Sequence, residues 1–598
     1  MINEAMFRGR SRRLAVGAIL VVIVLLVSMW STWSRGDTSE VLDLKEDGLD
    51  FINKEMHAAS KPSPHPSRNK EDLYRTMNTK QQFCRIDSTP KIKPSLPRIK
   101  PFDWVYGSDI TSRLNSTFEI INEKIFYEVC DRIQVRITAR NGRNEQKRFG
   151  GDYFRSRIVT NDHKGHTWSS MSDGEVDDHG DGTYTATFTL KWPGEVVIRI
   201  YLVHPSEAVS VLQKQSQSQL ARYSYKGIFC SNHGPVVQEE RECNVFMSPQ
   251  TKHVCKFTDR RTRLSWYCHH PTRAGLNCSH WCRFRSDSRS AITYMMTTLP
   301  EKEKALFQTS IMNNRNLLHS KDYTVQAKPD IHQRMDFLPP CKPGIHGNSF
   351  AHSGYYADDE WVSSYCNILR FSSSFPATLD CLRKKTLFFL GDSTVKQLFD
   401  YFMKRLEGNV EIFHGNTFSA GKSAPILAVD EKHRINLIFR SHGYPIGDDA
   451  VYDIQSIQYL ANTLDDMKVG DKSVVIVSIW RYFTPHSESL YEERIRTIVE
   501  AVKRLHTRSP KTLVIFNSAN TGNMDTLESV VYSSDWYARN LDEILRRELS
   551  GYDRIGFLDS WEMTNAQLFP HRTHPVGMHV QNLADHLLSF ICPSSQLK

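Results

Sequence analysis

KTLFFLGDSTVKQLFDYF, residues 385–402, holds the key to the chain. Lys385–Gly391 is a short apolar run bounded by charge and glycine, the pattern of a buried strand. Val395, Leu398, Phe399, Phe402 and then Leu406 recur at helical spacing, so the strand runs directly into an amphipathic helix. Gly391-Asp392-Ser393 occupies the joint. Further on, Ile435–Phe439, Ser473–Ile479, Thr512–Phe516 and Arg554–Asp559 read as strands. Helical patterns fall over Ser487–His506 and Ser534–Leu549, with a terminal helix ending near Cys592. Strands alternating with helices over residues 341–598 predict a mainly parallel sheet covered by helices on both faces. In such sheets chemistry sits at the carboxyl ends of the strands.

Upstream the pattern changes. Residues 125–205 alternate with period two at Gln134–Ala139, Thr183–Leu190 and Val196–Leu202, separated by turns such as Asp178–Gly182. Short strands with glycine-rich turns predict an immunoglobulin-like β-sandwich. Residues 230–282 hold six of the 12 cysteines, with His269, His270 and His280 among them. Disulfides are the expectation there, with connectivity open; a zinc module of Cys and His ligands is the alternative. Residues 291–340 read as a linker.

The amino terminus reads as a membrane anchor. Leu14–Trp33 is uncharged over 20 residues, long enough to cross a hydrocarbon core of about 30 Å. Arg8, Arg10, Arg12 and Arg13 precede it, which favours a cytoplasmic tail at 1–13 and a single-pass type II protein facing the Golgi or ER lumen. Cleavage and secretion is the alternative. Residues 34–105 are polar and proline-punctuated, as in a stem. Asn115-Ser-Thr and Asn277-Cys-Ser are candidate glycan acceptors. The formal net charge is +9, but +4 of it lies in the first 36 residues, and no concentrated basic face points to nucleic acid.

Ser393 is the candidate nucleophile. A serine between a strand end and a helix start projects into the crevice above the sheet. There its own amide and those of the first helical turn, aided by the helix dipole, face a developing oxyanion. Helix N-capping is the alternative role. Such a serine needs a base, and His571-Arg-Thr-His574-Pro-Val-Gly-Met-His579 follows the last strand, at the same sheet edge. His574 is the first candidate and His579 the second; loop or capping histidines are the alternative.

Four segments together resemble the neurexophilin and PC-esterase domain (NXPE) family: Leu338–Gly344; Ser353–Tyr356 with Trp361 and Cys366; Leu390–Thr394; and Asp559–Thr564 with His574-Pro575. Residues 106–290 then resemble a neurexophilin-like domain and 341–598 a PC-esterase domain. The resemblance implies an SGNH/GDSL-type fold that hydrolyses or transfers acyl groups, acetyl foremost, on sialic acid or another sugar hydroxyl. It implies an acyl-serine at Ser393 with His574 as base and Gly391, Asp392 and Thr394 in support. No bound cofactor is implied; acetyl-CoA or another acyl donor would be a substrate, and a glycan or glycoprotein the acceptor. The family usually places an aspartate three residues before the histidine, where this chain has His571, so Asp559 is the candidate acid. Lys396 stands where an arginine is usual. No oxyanion-hole asparagine follows Ser473–Ile479; Gly415, Asn416, Gly443 and Asn520 are candidate substitutes. These departures keep a second reading open: a neurexophilin-like ligand or adhesion protein for a neurexin-like cell-surface receptor, with a catalytically degenerate esterase fold.

Overall fold

The computed structural model describes residues 108–593 apart from 122, 161–169, 173–175, 219–222, 232–236, 249, 288–296, 298, 309–317, 319–322, 329–337, 345–352, 415–423, 449, 523, 525, 567–573 and 576. All of these fall in one of the chain's two compact units, Pro66–Lys598; the other, Met1–His65, lies outside the described residues.

Two sheets face one another in the amino-terminal part. One orders Thr117–Ile121, Arg132–Thr138, Thr183–Thr189 and Asp177–Asp178; the other is built around β1 (Tyr153–Thr160) and β2 (Gly194–His204). Alternation drives the packing: Val135, Ile137 and Phe188 of the first sheet meet Phe154, Ile158, Ile198 and Ile200 of the second in one core. The second sheet reaches across the chain. Thr324–Lys328 pairs with β2, although residues 291–340 read as a linker. Gly354–Ala357 and Glu360–Ser363 extend the sheet beyond Ser170–Ser172.

A third sheet carries the cysteine module, from Ser224–Cys230 to Trp281–Asp287, and is closed by Val451–Asp453 from the carboxyl-terminal part. Cys230–Cys282, Cys243–Cys268 and Cys255–Cys278 are disulfides. The zinc alternative therefore falls, because all six thiols are bonded to one another. Cys341–Cys366 and Cys381–Cys592 are also bonded, and no described cysteine is free.

The carboxyl-terminal sheet contains β3 (Thr386–Gly391), β4 (Glu411–His414), β5 (Ile426–Asp430), β6 (Ile435–Ser441), β7 (Ser473–Ser478), β8 (Leu513–Asn517) and β9 (Ile555–Leu558). Its spatial order is β4-β5-β6-β3-β7-β8-β9. The pairings from β6 through β9 are parallel, while β4–β5 and β5–β6 are antiparallel, so the sheet is mixed. Helices cover both faces. Against one lie α1 (Ser393–Arg405) and α5 (Met578–Ile591), packed on Leu387, Phe389 and Ile476. Against the other lie α2 (Glu488–Arg508) and α3 (Asp535–Leu549), packed on Val475, Val477 and Val514. Leu398, Phe399 and Phe402 of α1 are buried, each stabilising by about 1.5–3 kcal/mol relative to exposure. The short helix α4 (Ser560–Ala566) follows β9. β3 is first in sequence among the parallel strands but lies between β6 and β7, which makes its carboxyl end the switch point of the sheet.

The membrane reading requires correction. Among the described residues no helix is long and apolar enough to cross a membrane. The longest helix among the described residues, α2, carries Glu492, Glu493, Arg494 and Arg496 and buries only one face. The expected span, residues 14–33, and the stem lie outside the described residues. The single-pass type II anchor, the membrane as partner and the Golgi or ER lumen-facing placement therefore have no supporting helix among the described residues.

Candidate active site

Gly391 ends β3 with φ of 151°, a conformation open to glycine. A Cβ there would lie 1.8 Å from the Ser478 carbonyl oxygen of β7. That close approach lets the Asp392 amide donate to the same carbonyl at 3.0 Å. Asp392 then caps α1. Its Oδ1 accepts from the Thr394 amide at 2.9 Å and the Thr394 hydroxyl at 2.6 Å. Its Oδ2 accepts from the amides of Trp480 and Arg481 at 2.8 and 2.7 Å. Burial pushes the Asp392 carboxyl upward, while these hydrogen bonds pull it back. The capping role open to Ser393 thus belongs to its neighbour, and Ser393 is left half-buried in the first turn of α1.

A polar chain runs from this turn across the strand ends. Thr394 Oγ1 and Ser478 Oγ lie 3.1 Å apart. Asn517 Nδ2 donates to Ser478 Oγ at 3.4 Å, and Ser560 Oγ donates to Asn517 Oδ1 at 2.6 Å. Ser478, Asn517 and Ser560 escaped the sequence reading. Their signal was a single polar residue at the carboxyl end of an apolar run, repeated at β7 and β8.

The histidine segment reaches the same helix. Gln397, one turn beyond Ser393 on α1, donates its side-chain amide to the Pro575 carbonyl. Positions i and i+4 share a helix face, so Pro575 is tethered to the face of α1 that carries Ser393. His574 is exposed and Pro575 buried; His571 lies outside the described residues. His579 is buried in α5, where burial pushes its pKa down to about 4 and leaves its Nδ1 unbonded.

Other candidates are placed differently. Asp559 gives both carboxylate oxygens to Arg546, at 3.1 and 2.6 Å, and Arg546 also holds Asp542 at 2.8 Å. Among the described contacts it pairs with no imidazole of the 571–579 segment, because a buried guanidinium already neutralises it. Lys396 is paired with Asp400 at 2.8 Å. Gly443, with φ of 83°, serves a close approach, since a Cβ there would lie 2.7 Å from the Gln458 carbonyl. Asn520 is buried and donates to the Thr521 carbonyl at 2.8 Å. Gly415 and Asn416 lie outside the described residues. No hydrogen-bonded serine–histidine–carboxylate relay is assembled among the described residues.

Of the glycan acceptors, Asn277 is exposed at a turn, its Oδ1 accepting from the Ser279 amide at 2.9 Å. Asn115 donates to the Asn141 carbonyl at 2.8 Å.

A serine opening a helix at the switch point of a mixed α/β sheet, joined to a disulfide-bonded β region, defines a two-part architecture. Sequence comparison divides the chain the same way. Residues 361–592 match the family described as NXPE family member 4-like, C-terminal domain, and residues 102–293 match neurexophilin. The chain is an NXPE/neurexophilin-related protein. A solved structure of invasin, a bacterial integrin-binding protein, aligns at 10% identity over 56% of this chain and 60% of that chain. The TM-score of that alignment is 0.12.

Proposed function

We propose that the protein transfers or hydrolyses acyl groups on glycans through an acyl-serine at Ser393. The observation that carries this reading is the Gln397–Pro575 hydrogen bond, which ties the His574 segment to the helix that Ser393 opens. In the proposed reaction the Ser393 hydroxyl attacks the carbonyl carbon of an acyl donor such as acetyl-CoA, and His574 takes its proton. The tetrahedral oxyanion forms at the amino-terminal end of α1, where the dipole favours negative charge. Collapse expels the donor's leaving group with the proton held by His574. A sugar hydroxyl, on sialic acid or another residue, then attacks the acyl-serine and returns its proton through the same imidazole. Water in that place gives hydrolysis.

A second reading is favoured by the Asp559–Arg546 pair, which engages the expected acid in a buried ion pair: an adhesion or ligand protein on a degenerate esterase fold. Exposed Ile125 and Phe126 on the amino-terminal part suit such a role. A serine-directed fluorophosphonate separates the two. Labelling of the folded protein that disappears in Ser393→Ala supports the enzyme; a folded protein that does not label refutes it.

A further inference from the structure

The face of the carboxyl-terminal sheet that carries α2 and α3 is covered over only part of its width. The core on that side takes in residues of β3, β7, β8 and β9 and none of β4, β5 or β6 among the described residues. Strand register shows which side chains are left there. Phe413, Leu427 and Ile438 lie opposite one another on β4, β5 and β6, and Glu411 lies opposite Val429. Directly opposed residues share a face, so these five stand on the side away from Ile426, Ala428, Leu437 and Phe439, which pack into the core under α1 and α5. Phe413 is 51% exposed, and Leu427, Val429 and Ile438 are half-buried. Arg440, two residues beyond Ile438 on β6, faces the same way and is exposed.

An antiparallel pair with one face in water normally turns polar residues outward. Phe413, Leu427, Val429 and Ile438 instead adjoin across three strands, the kind of apolar patch that marks a contact surface. The charges lie at opposite corners of that patch. Glu411 and Arg440 stand two strands apart, about 10 Å, and four residues apart along the strands, about 13 Å, with Leu427 midway between them. Glu411 is exposed and makes no ion pair among the described residues. Asp466, the acid that acts on Arg440, is already bonded to Arg261 and Gln458. Opposite charges at the two ends of one diagonal make the patch complementary to itself, which favours a second copy over an unlike partner.

We propose that two copies of the chain stack through this face about a two-fold axis. The axis lies between the two sheets, passes by Leu427 and crosses the Glu411–Arg440 diagonal at right angles. It sets Glu411 of each copy against Arg440 of the other and closes the pair, so no open chain of copies forms. Leu427 packs on its own counterpart, with Phe413, Val429 and Ile438 around it, at the usual sheet-to-sheet spacing of about 10 Å. The dimer does not depend on the acyl-serine reading.

Analytical ultracentrifugation of the full chain over a concentration series measures the association. Wild type passes from monomer to dimer. Glu411→Arg and Arg440→Glu each bring like charges together at two places in the dimer, so each raises its dissociation constant about tenfold or more. The double reversal restores the pairing with the charges exchanged and brings the constant back to the wild-type range. Phe413→Ser weakens the dimer as well. Melting temperature holds in these variants, because the three positions are exposed. If Arg440→Glu melts early, Glu411→Arg and Phe413→Ser carry the test. A wild type that stays monomeric throughout, single variants that dimerise like wild type, or a well-folded double reversal that stays as weak as the singles overturns the proposal. A monomeric chain that captures an unlike protein on this face overturns it too.

Discussion

Gln397→Ala tests whether the tether on α1 positions a base. The wild-type side chain spans from the helix to the Pro575 carbonyl. Removing one partner of a hydrogen bond of this kind costs about 0.5–1.5 kcal/mol net. That shifts the bound-to-released ratio of the His574 segment by about 2- to 13-fold. A released segment holds the base out of line, so fluorophosphonate labelling should fall by at most that factor, about 2- to 13-fold. The melting temperature should move by only a few degrees, because the bond is a small part of the total stability. Gln397→Glu keeps the length but removes the donor, and should slow labelling like Ala. The assay is second-order labelling of the full chain across pH, with Ser393→Ala as the blank. A merely structural glutamine would move melting and leave the pH profile of labelling intact. Wild-type labelling in both Gln397 variants would refute the reasoning.

Three further outcomes are expected. His442 is fully buried with neither ring nitrogen bonded, and burial pushes its pKa from 6.5 to about 3. The neutral ring is native and the charged ring belongs to the unfolded chain, so its contribution is full above pH 6.5 and falls as pH drops toward 3. Relative to wild type, His442→Phe should gain about 1.4 kcal/mol per pH unit between about pH 6 and 4, measured by urea unfolding; a constant difference would contradict the assignment. Gly391→Ala places a Cβ 1.8 Å from the Ser478 carbonyl and should fail to fold or lose several degrees of melting temperature while abolishing labelling; a wild-type melt would contradict the close approach. Cys381 and Cys592 close a loop of 211 residues, worth about 5 kcal/mol in the chain-entropy account, so the double serine variant should melt well below wild type; unchanged melting would contradict that account.

The strand–helix alternation from Lys385 onward was legible because apolar runs and 3.6-residue periodicity are local properties. Thr386–Gly391 and Ser473–Ser478 fall within a residue of the expected strands, and Asp535–Leu549 within one residue of the expected helix. The antiparallel strands β4 and β5 were not legible. Glu411–His414 is too short to show a period, and its partner is fixed only by pairing. At the site, Gly391-Asp392-Ser393 and His574 could be marked from their places relative to strands. The exchange of roles between Asp392 and Ser393 could not, since a cap is decided by side-chain geometry. The partner of Asp559 was hidden for a related reason: Arg546 lies 13 residues upstream on a different element. The disulfide pairing and the Arg155–Asp535 contact, 380 residues apart, are long-range facts that composition does not encode.

Strand sharing has a practical corollary. The sheet built on β1 and β2 recruits Gly354–Ala357 and Glu360–Ser363, and the cysteine-bearing sheet recruits Val451–Asp453. A fragment cut near residue 293 or 361 would strip neighbours from one piece and leave open edges on both, inviting aggregation. Anyone trimming this chain for crystals, or grafting its front half onto another protein, should expect insoluble material unless both halves are kept in one polypeptide or co-expressed.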